Sequence, residues 1–285
     1  MTLAILAALP YPFELGFMQK ALVAGIAVGV FAPLIGTYIV QKRMSLIGDG
    51  IGHIAFAGVG AGLVVGGAPL WTALGFAIVG SIGVERLRSQ RRASGDLALA
   101  LMFYSGIAAG VVLVSLGGGM NAGILTYLFG QPLTVSRGDV IGILSLGAAI
   151  VGIVLVFRRL LFATVGDEDW SRVVGLPVTA MNNLLAILIA CSVVAAMRMV
   201  GILLISAMMV LPVAGAQRLA RSFAGTLGWA VTIGVGSAII GLAAARVFDL
   251  APGGTIVLLA AAVFAVLAVI RRRTGPAQPE ANGRG

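Results

Sequence analysis

The sequence predicts an all-α, polytopic integral membrane protein with eight or nine transmembrane helices, and three observations carry that prediction. Of the 285 residues 60% are hydrophobic and only 10% charged, more apolar surface than a water-soluble domain can hide. The apolar residues fall into successive runs, most of them long enough to cross a bilayer, with short charged clusters between them. The 41 glycines, about twice the ordinary share of ~7%, suit helices that pack closely through small residues.

In chain order the runs predict spans at 18–40, 44–66, 69–84, 97–116, 139–157, 180–197, 199–215, 226–244 and 254–270. Those at 69–84 and 199–215 fall short of the ~20 residues of a straight span. They are expected to tilt little, break or run on into their loops, and merging or demoting one segment gives the eight-span alternative. With the N-terminus outside and the spans alternating, Lys42, Arg43, Arg86, Arg88, Arg91, Arg92, Arg158, Arg159, Arg172, Arg218, Arg221, Arg271, Arg272, Arg273 and Arg284 fall inside. Lys20, Arg137, Arg198 and Arg246 fall outside, so 15 of the 19 basic residues are cytosolic, as the positive-inside rule requires of a plasma-membrane protein with a cytosolic C-terminus. The membrane domain covers residues 1–273, and the polar tail from residue 274, TGPAQPEANGRG, is expected to be disordered. The start MTLAILAALPYPFELGF lacks a basic region ahead of its apolar part and is expected to stay on the protein.

Between the fourth and fifth spans, Ala122–Gly130 is apolar but too short to cross, which predicts a re-entrant or interfacial segment. In FATVGDEDWSRVVGLP (162–177), Gly166 opens a short helix with Asp167, Glu168 and Asp169 in its first turn, and Gly175 with Pro177 closes it. This is either a solvated loop cap or a docking helix for a cytosolic partner. MRMVGILLISAMMVLP (197–212) reads as a run entered by Arg198 and closed at Pro212, where a break or kink is expected. DLAPGGTI (249–256) reads as a Pro-Gly-Gly turn on the outer face.

Composition also excludes function classes. The net charge of +9 comes from clusters between apolar runs, which is topology rather than a nucleic-acid patch. The single cysteine, Cys191, excludes an intrachain disulfide and a multi-cysteine metal site. No GxxxxGK[ST] phosphate loop occurs in the chain, so it is not itself an ATPase of that type.

The stretch RMSLIGDGIGHIAFAGVG (43–60) sets Asp49 and His53, the only histidine, four residues apart in an apolar helix, hence on one face. Counted from Arg43 at ~1.5 Å per residue, Asp49 lies about 9 Å and His53 about 15 Å into the membrane, close to the midplane of a ~30 Å core. Ionisable groups at that depth rarely persist without a task, and a carboxylate with an imidazole suits a divalent transition metal. Dimer symmetry or water would complete the shell, or the carboxylate would orient the imidazole from behind. Methionines 197, 199, 208 and 209 are read as gap fillers rather than soft ligands.

RMSLIGDGIGHIAFAGVGAG, GDEDWSRVVGLPV, MVGILLISAMMVLPVAGA and DLAPGGTIVLL, in this order across Met18–Ile270, resemble the membrane permeases of ATP-binding-cassette importers for zinc and manganese, the zinc-uptake branch in particular. The resemblance implies a homodimer around a central pathway. Each subunit would meet one cytosolic ATPase, and an extracytoplasmic binding protein would deliver the metal. It implies that Asp49 and His53 line the pathway and that the segment from Asp167 to Gly175, with Glu168, Asp169 and Arg172, is the coupling helix seated in the ATPase. It implies no permanently bound cofactor, Zn2+ or Mn2+ being cargo. Two other classes stand beside it: a secondary metal transporter using Asp49 and His53 as a proton relay, and a cassette permease for siderophores or vitamins.

Overall fold

The computed structural model describes residues 11–89, 95–119 and 122–274. The expected retained start (1–10), the Arg91–Arg92 pair and the expected disordered tail beyond residue 274 lie outside the described residues. Every regular element among those described is helical: α1 (Gly16–Gln41), α2 (Ile47–Val65), α3 (Pro69–Ser89), α4 (Gly95–Leu116), the short α5 (Ala122–Phe129), a 3-10 turn at Pro132–Thr134, α6 (Arg137–Gly166), the short α7 (Glu168–Val173), α8 (Val178–Val200), α9 (Ile202–Leu219), α10 (Phe223–Val247) and α11 (Pro252–Thr274). All but α5 and α7 are long and apolar enough to cross a membrane, nine spans among the described residues.

Local chemistry sets several ends. Gly66 takes φ +70° after α2, the left-handed stop favoured by glycine. Ser136 and Asp139 form a reciprocal capping box at the start of α6, and the Ser222 hydroxyl caps α10. At 30 residues, α6 is about 45 Å long, more than a straight crossing of a ~30 Å hydrocarbon core needs, and α7 follows directly after its end. The run 69–84 continues to Ser89, giving α3 its spanning length.

Two expectations are corrected. The helix break lies at Gly201 (φ +92°) and not at Pro212, which sits inside α9; the chain runs on to Leu219. Only one backbone N–H is lost at Pro212, and the surrounding helices accommodate it. The bend in DLAPGGTI is made by Asp249 (φ +50°) and the two residues after it, while Pro252 starts α11 and puts both glycines in its first turn. Gly253 is small because a Cβ there would lie 2.7 Å from the Val200 carbonyl oxygen and 3.0 Å from that of Phe129. The α8–α9 break, the end of α5 and the start of α11 thus meet backbone to backbone at the end of the bundle marked by Arg198. There Arg198 pairs with Asp139 of α6 and lies over the Tyr127 ring of α5.

Helices α1, α2 and α8 form the centre, with 72% of their spanning windows buried against 28% or less for α3, α4, α6 and α11. On one side α3 and α4 flank α2; on the other α9, α10 and α11 form a group that meets α1. The contacts are too close for side chains: a Cβ on Gly36 of α1 would overlap the Met209 carbonyl of α9, and one on Gly29 would fall 2.9 Å from the Gly234 oxygen of α10. Gly36→Leu is therefore expected to destabilise the protein by about 1–3 kcal/mol or more, read as a lower unfolding temperature in detergent. Gly75→Leu, whose Cβ meets nothing within 4 Å, should leave that temperature nearly unchanged.

Candidate functional site

Helix α2 starts after a turn in which Arg43 takes φ +57°, and Asp49 falls in its first turn, where the helix dipole favours negative charge. Along this largely buried helix, Asp49 and His53 are half-buried. Ser206 of α9, whose hydroxyl donates to the Ser45 carbonyl at 3.4 Å, stands beside Asp49. Asp49 lines a cavity of about 400 Å³ with Leu46, Leu99, Phe103 and Tyr104, and the rim residues Leu46 and Tyr104 are strongly exposed. His53 lines a second cavity of about 450 Å³ with Phe56, Ile107, Val111 and Leu128.

Phe103 of α4 stands at both: it lines the Asp49 cavity and meets the His53 ring edge-on, with centroids 4.5 Å apart. Helix α4 comes this near because residue 106 is glycine, a Cβ there falling 2.8 Å from the His53 carbonyl carbon. The two predicted site residues thus share the α4-facing side of α2 but open into separate cavities, and among the described residues no hydrogen bond joins them. Nor does any described His, Cys, Asp or Glu make a group of three with them. A carboxylate and an imidazole are ligands for a borderline divalent cation, with most of its coordination sphere left to other donors. Methionines 197, 199, 208 and 209 are buried in the core, as filler requires.

The second predicted site forms a short helix as expected. Asp167 caps α7 by accepting from the Trp170 N–H at 2.9 Å, and Gly175 closes it at φ +82°. The acidic run divides by role: Asp167 caps, Asp169 is exposed, and Glu168 turns inward. Ser171 is buried while Trp170, Val173 and Val174 are exposed, at 65%, 80% and 56%, an unpartnered apolar face. Arg172 reaches back to Glu168 at 3.8 Å.

Glu168 enters a cluster that sequence reasoning missed. Its Oε1 accepts from Arg88 at 2.6 Å, Lys42 at 3.2 Å and Asn182 at 3.2 Å. Arg88 also grips Glu85 through both its Nε and Nη2, at 3.0 and 2.8 Å. Burial alone would raise the Glu168 carboxyl, but Lys42 and Arg88 outweigh it and hold it below the usual range. The one legible signal was Glu85, a lone acid among the basic residues that close α3. For Phe103 and Ser206 the sequence carried none.

The comparisons with known proteins agree over nearly the whole chain. Residues 14–271 match the model of the ABC 3 transport family. The chain is 32% identical to the manganese transport system membrane protein MntC of Halalkalibacterium halodurans, over 88% of this chain and 86% of that one. It is 30% identical to the high-affinity zinc uptake system membrane protein ZnuB of Haemophilus influenzae, over 91% and 98%. Among solved structures, PsaBC from Streptococcus pneumoniae in complex with a Fab superposes with a TM-score of 0.83 at 30% identity, covering 92% of this chain and 95% of that one. With a nine-span helical bundle and a full-length match to its model, this chain belongs to the ABC 3 transport family.

Proposed function

We propose that the chain is the membrane permease of an ATP-driven importer of a divalent transition metal, zinc or manganese, and that Asp49 and His53 line its path. The observation that carries this reading is their placement: two half-buried ionisable side chains one turn apart on a largely buried, apolar helix, each facing a cavity. Relatives named for manganese and for zinc support the class of cargo. Imidazole and carboxylate serve both ions, so the choice between them rests with other donors or with a delivering protein.

The end of the bundle marked by Lys42 faces the cytosol in this reading, because most basic residues lie there. Helix α7 then offers its exposed Trp170, Val173 and Val174 to a cytosolic ATPase. A proton-driven carrier has no use for such a face. A second copy of the chain would cover the exposed side of α4, where Leu101, Tyr104 and Val111 project, and would bring a second Asp49–His53 pair toward the same path. An extracytoplasmic binding protein would load the metal at the Arg198 end.

Uptake of 65Zn and 54Mn by a deletion strain carrying the permease and its partners tests the path. Asp49→Ala and His53→Ala should each lower uptake by at least about tenfold, the scale of losing one ligand-shell group, while the ATPase still copurifies. Undiminished uptake in both would end the assignment. Trp170→Ala with Val173→Asp should instead release the ATPase from the purified complex, leaving the permease folded.

A further inference from the structure

Helix α7 is six residues long, and among the described residues Glu168 is the only one of its side chains to hydrogen-bond or ion-pair with another helix. Its partners on other helices gather at the Lys42 end of the bundle, where Asn182 is buried and the Lys42 and Arg88 side chains are largely covered. Lys42 follows the last residue of α1, Glu85 and Arg88 stand in the last turns of α3, and Asn182 stands early in α8. Lys42 also donates to the Asn182 Oδ1 at 2.8 Å and lies 3.8 Å from the Glu85 carboxylate. The Lys42 and Glu85 side chains are 8% and 7% exposed, so water contributes little to holding the joint.

Helix α3 continues this joint to the cavities. It packs on α2 without room to slide: a Cβ on Gly80 would fall 2.7 Å from Ile54 Cδ1, beside His53, and one on Gly58 of α2 would fall 2.6 Å from the Ala73 Cα. A second, shorter route runs from Lys42 through the four residues 43–46 into the start of α2 and so to Asp49.

We propose that Lys42, Glu85, Arg88 and Asn182 form the transmission joint of the transporter. Through them a displacement of α7, imposed at Glu168, moves α3 and with it the helix that bears Asp49 and His53. This rests on the reading of α7 as the ATPase-docking segment. Buried ion pairs are poor stabilisers compared with apolar packing of the same volume, but they hold discrete geometry. A joint of this kind passes movement in a fixed register where a greasy contact would slip.

The test uses the assembled transporter, permease with ATPase and binding protein, in liposomes, measuring ATP hydrolysis and 65Zn and 54Mn uptake together. Arg88→Gln and Glu85→Gln should leave the ATPase bound and hydrolysing while metal moved per ATP falls about tenfold, within the usual range of coupling between sites. Arg88→Gln combined with Glu168→Gln should lower the ratio no further than the worse single change, since both cut one connection. Arg88→Lys, which keeps the charge but not the two-pronged grip on Glu85, should recover part of it. Asn182→Ala keeps every charge and should lower the same ratio, so it serves where Arg88→Gln does not assemble. An unchanged ratio in Arg88→Gln and Asn182→Ala, with only a lower unfolding temperature, would overturn the joint while leaving α7 docking intact. An ATPase that stays bound when Trp170 and Val173 are changed would overturn the docking reading instead.

Discussion

Lipid tails are as apolar as the helices they surround, so this bundle is held by close backbone approach rather than by escape from water. The glycine contacts of α1 with α9 and α10, and of α2 with α3 and α4, place main chain against main chain. Rigidity follows, because such surfaces have no flexible side chains between them to absorb a shift. A helix pair locked in this way moves as one body or not at all. The cavities beside Asp49 and His53 lie on the α4-facing side, between the glycine contacts, where the bulkier Phe103, Tyr104 and Ile107 stand.

The same constraint sorts the polar groups. Charges gather at the two ends: Lys42, Glu85, Arg88 and Glu168 at one, Asp139 and Arg198 at the other. Between the ends, Asp49 and His53 are the ionisable side chains with cavities beside them. Each end ties together helices distant in sequence, so the fold has two polar clasps and a largely apolar shaft. That division is what a protein needs if its middle is to open while its ends keep register.

Much of this arrangement was legible before any coordinates. Apolar runs and charge clusters place every span, most within a few residues, because the backbone must satisfy itself inside hydrocarbon; α6 alone runs nine residues past the predicted end at 157, to Gly166. The short α7 was equally legible from its acidic first turn and closing glycine. What could not be read were partners far apart in the chain: Lys42 meets Asn182 across 140 residues, and Arg88 meets Glu168 across 80. The spans place the break between α8 and α9 at residue 198, and its exact position at Gly201 could not be read for a related reason. Its glycine answers to Phe129 and Gly130 of another segment, whereas Pro212 advertises a local effect that its neighbours absorb. Phe103 gave no signal, one aromatic among many on an apolar helix.

The sparseness of ligands in the path fits this mechanical picture. A closed tetrahedral site of four protein donors would hold zinc too firmly to release it. The proposed path, with one carboxylate and one imidazole per chain, leaves coordination to be completed from elsewhere, and what completes it would be withdrawn when helices shift. Asp49 stands beside Ser206 of α9, and His53 rests on the Phe103 ring of α4, so each of the two side chains has a different neighbour of α2 against it. A turn of the Phe103 ring alters the His53 surroundings, and a displacement of α2 relative to α9 alters those of Asp49. In the proposed path the two groups need not respond together, and ligands that loosen in turn would let an ion leave by steps rather than against the whole of its binding energy at once.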